Sequence, residues 1–167
     1  GPQITTEIHS HYAQVFYRYG QAELAYKWMM KLSHPDMHRR DYPEVSYGTI
    51  AAIVEGMMGV DVTRQENKIK TISRLTPVTK WAKVSSIPFH GNLVNVKHLA
   101  RNQSTLTNKS ENSIIWVASF YGDIDYLFAD DKKVKTKQGR DIVDNIYSWI
   151  EVEVKPGQTV KVCKTKD

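Results

Sequence analysis

"PEVSYGTIAAIVEGMMG", residues 43–59, and "NKIKTISRL", residues 67–75, lie a few residues apart and follow different periods. In the first, Ile50, Ile53, Val54, Met57 and Met58 recur three and four apart, the spacing that gathers side chains on one face of an α-helix. Pro43 suits a first helical turn and Gly59 a stop, so a helix is predicted between them, with nearly all of its long apolar residues buried. From Asn67 onward the apolar residues come in short, alternating runs. The change near residue 60 sets the expected fold class: α+β by segment, with a three-helix fragment built around a helical hairpin at 1–60 and an antiparallel β-sandwich at 61–167.

Upstream, "QAELAYKWMMKLS" (21–33) places Leu24, Ala25, Trp28, Met29 and Leu32 on one broad helix face, and Gly20 suits a helix end. Thr6–Tyr19 and Gln21–Ser33 are therefore read as two helices joined at Gly20. Downstream, "TKWAKVS", "GNLVNVKHL", "QSTLTNK", "SIIWVASFYG", "YLFADDKKVK", "YSWIEVEVK" and "QTVKVCK" read as strands separated by turn chemistry at Gly91-Asn92, Asn108-Lys109, Asp130-Asp131 and Pro156-Gly157. "SIIWVASF" is apolar on both faces and should be central. "WIEVEVK" alternates, with Ile150, Val152 and Val154 directed inward and Glu151 and Glu153 to water.

Composition excludes several classes. Hydrophobic residues at 41% and charged residues at 25% are an ordinary globular balance. No apolar run approaches the roughly 20 residues of a membrane-spanning helix, so no membrane partner is expected. Residues 1–59 carry five Lys/Arg against six Asp/Glu, and the rest carries 18 against 12, so the basic excess belongs to the second part. There it is spread at strand spacing among acids, which argues against nucleic acid. The single Cys163 rules out an internal disulfide framework and any multi-cysteine metal site. Neither a metal nor another cofactor is expected. Gly1-Pro2 resembles the scar of a removed tag, so the compartment is not readable from the N-terminus; a periplasmic or secreted location is favoured over the cytoplasm.

Three helices are few for a separate domain beside such a sandwich, and they resemble the torn end of something larger. "HYAQVFYRYGQAELAYKWMMKLS" (11–33), "YPEVSYGTIAAIVEGMMGV" (42–60) and "IKTISRLTPVTKWAKVSSIPFHGNLVNVKH" (69–98) together resemble the C-terminal end of bacterial six-hairpin glycosidases. In that superfamily an (α/α)6 toroid closes with its last helices and runs into a β-sandwich. Leu75, Trp81, Ile87, Gly91, Val94 and Val96 match the packing pattern that opens the sandwich, while Arg74 and Thr76 depart from it where a proline is common. The resemblance spans residues 5 to about 162 and rests on packing residues, with no catalytic signature. It implies a fragment of a glycoside hydrolase of the rhamnosidase-like, fucosidase-like or disaccharide-phosphorylase-like assemblage, inactive alone. Its partners would be the remainder of the toroid and a carbohydrate substrate, with a dimer through the exposed helical face as another way to cover it. The alternative is a self-contained β-sandwich module that binds a glycan or a protein, with the helices as its cap.

On this resemblance the sugar funnel opens at the N-terminal ends of the inner helices, which makes Glu44 the candidate catalytic carboxylate. Two roles stay open to it: a first-turn carboxylate favoured by unpaired N–H groups and the helix dipole, or a group facing substrate. Inverting enzymes of this architecture use an acid and a base roughly 6.5–9.5 Å apart, so a second carboxylate would come from outside the chain. His9 and His11, two apart, fall on different helix sides and suit sugar hydroxyls or helix packing better than a shared metal. Arg39 and Arg40, in a loop, and Tyr42 and Tyr47 complete the candidate substrate-binding set. Tyr17 and Tyr19 are further candidates for exposure, Trp28 and Trp116 are read as core, and Trp149 beside Tyr147 as a possible sugar-stacking face. No Gly-rich phosphate loop or nucleophile elbow is present.

Overall fold

The computed structural model describes residues 6–35, 43–62 and 67–166, with the side chains of 6–10 and 43–45 set aside. The chain forms two compact units, residues 1–57 and 58–167.

The first unit holds α1 (Thr6–Arg18), α2 (Ala22–Leu32), α3 (Pro43–Ala51) and a π-helical turn at Ala52–Met57. Gly20 ends α1 as expected. Its φ of 72° sits where a Cβ is costly, and Gln21 N–H donates to Phe16 O at 2.8 Å while Gly20 N–H donates to Tyr17 O at 3.2 Å, the paired bonds of a Schellman stop. α1 packs against α2 and against α3 with its π turn. Ala13, Tyr17, Ala22, Ala25, Met29 and Ala52 form a small core, with Phe16, Tyr26, Trp28, Ile53 and Met57 half-buried around it. The π turn was not legible from periodicity. It brings Gly56 against the Tyr17 ring, where a Cβ would lie 2.5 Å from Cδ2, so close approach explains a glycine inside a helix.

Two expectations fail in this unit. Tyr17, read as a candidate for exposure, is wholly buried, because its ring packs against Gly56 in the π turn. Of the five long apolar residues expected to bury on the predicted third helix, only Met58 is fully buried; Ile50 is exposed, and Ile53, Val54 and Met57 are half-buried.

The second unit is a sandwich of two sheets. One has the order β1 (Asp61–Val62), β2 (Lys68–Ile72), β6 (Ile114–Tyr121), β10 (Ile146–Val154), β9 (Lys137–Arg140). The other runs β3 (Trp81–Phe89), β4 (Asn92–Leu99), β5 (Gln103–Asn108), β11 (Thr159–Cys163), β7 (Tyr126–Ala129), β8 (Lys132–Lys135). All ladders are antiparallel except β2 with β6, where Ile69 lies beside Trp116. β6 is central, as its two-sided apolar pattern requires. Its register with β10 sets Ile150 opposite Ala118 and Val154 opposite Ile114 on the inner face, and Glu151 opposite Val117 on the outer. Trp116 is fully buried and donates Nε1–H to Thr71 Oγ1 at 2.9 Å, which satisfies the indole in the core. Asp130 and Asp131, both at positive φ, form the two-residue turn between β7 and β8. Gly157 at φ 73° follows Pro156 in the turn before β11.

Candidate functional site

Glu44 is the second residue of α3, within the first turn, where backbone N–H groups lack intrahelical partners. Tyr47 follows three residues later, so the two positions are neighbours on the helix surface, and the Tyr47 side chain is 66% exposed. His9 and His11 both lie in α1, and His11 is exposed. The side chains of Glu44 and His9, and residues Arg39, Arg40 and Tyr42 expected to bind substrate, lie outside the described residues. Glu55 has a structural role: its Oε2 accepts from Gln14 Nε2 at 2.7 Å and pairs with Arg18 Nη2 at 3.5 Å, tying the π turn to α1. Among the described residues, no three His, Cys, Asp or Glu side chains gather as a metal site would need.

Several apolar residues of the same unit are exposed. Tyr12 and Val15 on α1 and Tyr19 in the turn after it recur three and four apart, opposite the buried Ala13 and Tyr17; Tyr47 and Ile50 recur three apart on α3, and Leu24 and Met30 are exposed on α2. α1 thus carries apolar side chains on two sides; on the second, Tyr12 meets the Trp28 ring edge-on at 5.9 Å, and Val15 is 46% exposed.

In the sandwich, Tyr147 and Trp149 project from the outer face of β10 with ring centroids 5.4 Å apart. Across the ladder from Tyr147 stands Gly139, where a Cβ would meet Tyr147 Oη at 3.0 Å and the Trp149 ring at 3.2 Å. The glycine lets both rings lie over the neighbouring strand. Lys70 Nζ sits 4.1 Å from the Tyr147 ring, and Glu151 pairs with Lys68 at 3.4 Å and Lys137 at 3.7 Å. Glu151 offsets part of the charge of the three lysines, and the rings cover the neighbouring strand, so the patch braces the sheet edge.

Two polar clusters were missed from sequence. His98 is fully buried in β4; its Nε2–H donates to Met58 O at 2.9 Å, which fixes the tautomer and leaves Nδ1 to accept from Ser104 Oγ–H at 2.7 Å. Burial, only partly offset by the Met58 carbonyl, lowers its pKa to about 4. Around Tyr121, Arg74 Nε donates to the phenol at 3.1 Å, Arg101 lies 5.9 Å from the ring, and Lys164 Nζ donates to the backbone carbonyl at 3.0 Å. Burial, and then the nearby Arg101 charge, depress the Lys164 pKa. Trp81, expected to pack in the sandwich, is 59% exposed; it sits near the start of an edge strand with its side chain on the outer face.

No protein-family profile matches the sequence, and no curated protein does. Solved structures do. An α-L-rhamnosidase from Dictyoglumus thermophilum superposes with a TM-score of 0.52 at 15% identity, over 89% of this chain and 19% of its own. A human-microbiome protein assigned as a kojibiose phosphorylase superposes with a TM-score of 0.50 at 14% identity, over 92% of this chain and 20% of its own. At such identity the likeness is one of fold. The chain spans about a fifth of the length of each.

Proposed function

We propose that this chain is the C-terminal portion of a larger carbohydrate-active glycoside hydrolase, in which residues 1–60 close an (α/α)6 toroid and residues 61–167 buttress it as a β-sandwich. The observation that carries the reading is the set of partly exposed apolar residues on the helices, Val15 on α1 and Tyr19 just after it, Leu24 and Met30 on α2, and Tyr47 and Ile50 on α3. Apolar helix residues are better covered by a neighbour, and further toroid hairpins would supply one. The fold likeness supports it, since both neighbours bear names within the assemblage that the sequence resembles and are about five times longer.

In this reading Glu44, at the N-terminal end of α3, faces the funnel, where its carboxylate holds a sugar hydroxyl or a catalytic water. His9, His11, Arg39, Arg40, Tyr42 and Tyr47 line the approach. The test is Glu44→Gln in the longer enzyme. Loss of a general base lowers turnover of an aryl glycoside by about 10²–10⁴, with the melting temperature nearly unchanged. Activity within about twofold of the parent, with roughly 0.3–1 kcal/mol of stability lost, would make Glu44 a helix-end carboxylate only. The 167-residue chain by itself is expected to show no turnover. It should bind an apolar dye or self-associate through these helix residues, as light scattering would detect; a monomer that binds no dye counts against the fragment reading.

A further inference from the structure

The outer face of the six-stranded sheet carries a groove of about 310 Å³ where β3, β4 and β5 lie side by side, lined by Trp81, Lys83, Asn95, Lys97, Thr105 and Thr107. The strand registers order these residues. Lys83 stands directly opposite Lys97, which stands opposite Thr105, and the next row sets Asn95 opposite Thr107. Trp81 occupies the corner, with Lys97 Nζ 5.6 Å from its ring.

Beyond the Lys97–Trp81 contact, two features of this lattice carry a cost in the free protein. Like charges directly across a ladder repel, and among the described residues neither Lys83 nor Lys97 has a carboxylate within ion-pair distance. Lysines on an edge strand do guard against edge pairing, but Lys97 lies on β4, inside the sheet. The indole of Trp81, meanwhile, is mostly in water. Asn95 is fixed by its Oδ1, which accepts from Ser86 N–H at 2.9 Å across the bulge in β3, and so its Nδ2 amide is held in place at the groove.

We propose that this groove binds an acidic oligosaccharide, a uronate-bearing chain, with one sugar ring stacked on Trp81, its carboxylate between the Lys83 and Lys97 ammonium groups, and its hydroxyls on Asn95, Thr105 and Thr107. A carboxylate placed there relieves the lysine repulsion, so the cost in the free protein becomes a preference for anions. The volume falls at the low end of the ~300–1,000 Å³ of small-molecule sites, which fits a short stretch of glycan. Single-stranded nucleic acid would use a longer cationic track with several stacking rings, whereas this groove has one ring and a neutral second row. The site stands whether or not the chain belongs to a hydrolase.

The experiment is calorimetric titration of the 167-residue chain with an oligogalacturonate hexamer, its methyl-esterified form and a single-stranded DNA oligomer of equal charge. The acid hexamer is expected to bind, more weakly as salt rises, with the methyl ester and the DNA each at least tenfold weaker. Trp81→Ala and Lys97→Gln should each weaken the acid hexamer tenfold or more at an unchanged melting temperature, since both side chains are exposed. No binding by the acid hexamer, equal binding by the ester, DNA binding at least as tight, or full affinity in Trp81→Ala would each overturn the proposal.

Discussion

A neutral imidazole sealed in a β-sandwich makes stability depend on acidity in a defined window. Above pH 6.5, His98 is neutral in both the folded and unfolded chain. Between 6.5 and about 4 the unfolded chain takes up a proton that the folded one refuses, so stability falls as pH falls; below about 4 both are protonated and the loss is complete. A shift of this size corresponds to about 3 kcal/mol. Urea denaturation at pH 7.5, 5.5 and 4.5 should show this decline, and the His98 ring resonances should not titrate near pH 6.5; a normal titration there would refute the buried neutral ring. Gly59 sets a second limit. At φ 57°, it leaves no room for a Cβ, which would lie 2.0 Å from Ile72 O. Gly59→Ala should therefore cost more than about 1 kcal/mol, because backbone must move; an unchanged melting temperature would show that this contact is looser than described.

At the scale of the element, β10 separates burial from propensity. Ile150 is inward and 2% exposed, Glu153 outward. Ile150→Ala should destabilise by about 2–5 kcal/mol through transfer and cavity terms, while Glu153→Ala should stay within about 0.5 kcal/mol; denaturant midpoints with unchanged slope would check both. This alternation was legible in the sequence because it depends only on neighbours two residues away. So were the Gly20 stop, the Pro43 start and the Asp130-Asp131 turn, each a local backbone requirement. The two-residue β1 and the four-residue β9 were not legible, being too short to show a period. Tyr17, Ile50 and Trp81 were misread for another reason. Whether an aromatic or branched side chain meets protein or water depends on the element across from it, which local spacing does not encode. The same limit applies to the groove on the six-stranded sheet: Trp81, Lys97 and Thr107 come together only through the register of three strands.

For the whole molecule, the unit of residues 58–167 keeps the groups that its own core needs, including Met58 O on His98 and Gly59 against Ile72. Deletion of residues 1–57 should leave a sandwich with dispersed amide resonances and a cooperative urea transition; a soluble product with collapsed dispersion would mean that the sheets depend on the helices. The parallel ladder of β2 with β6 has a consequence of its own for how the chain is made. β2 leaves the ribosome before β3, β4 and β5, yet its main partner is β6, so beyond its short pairing with β1 the nascent strand waits with one edge unpaired while the opposite sheet is already being built. Closure over so long a stretch is slow compared with hairpin formation. The synthesis interval between these two strands is therefore the period in which a growing chain is most open to pairing with its neighbours on the same message, and in which a chaperone would have most to do.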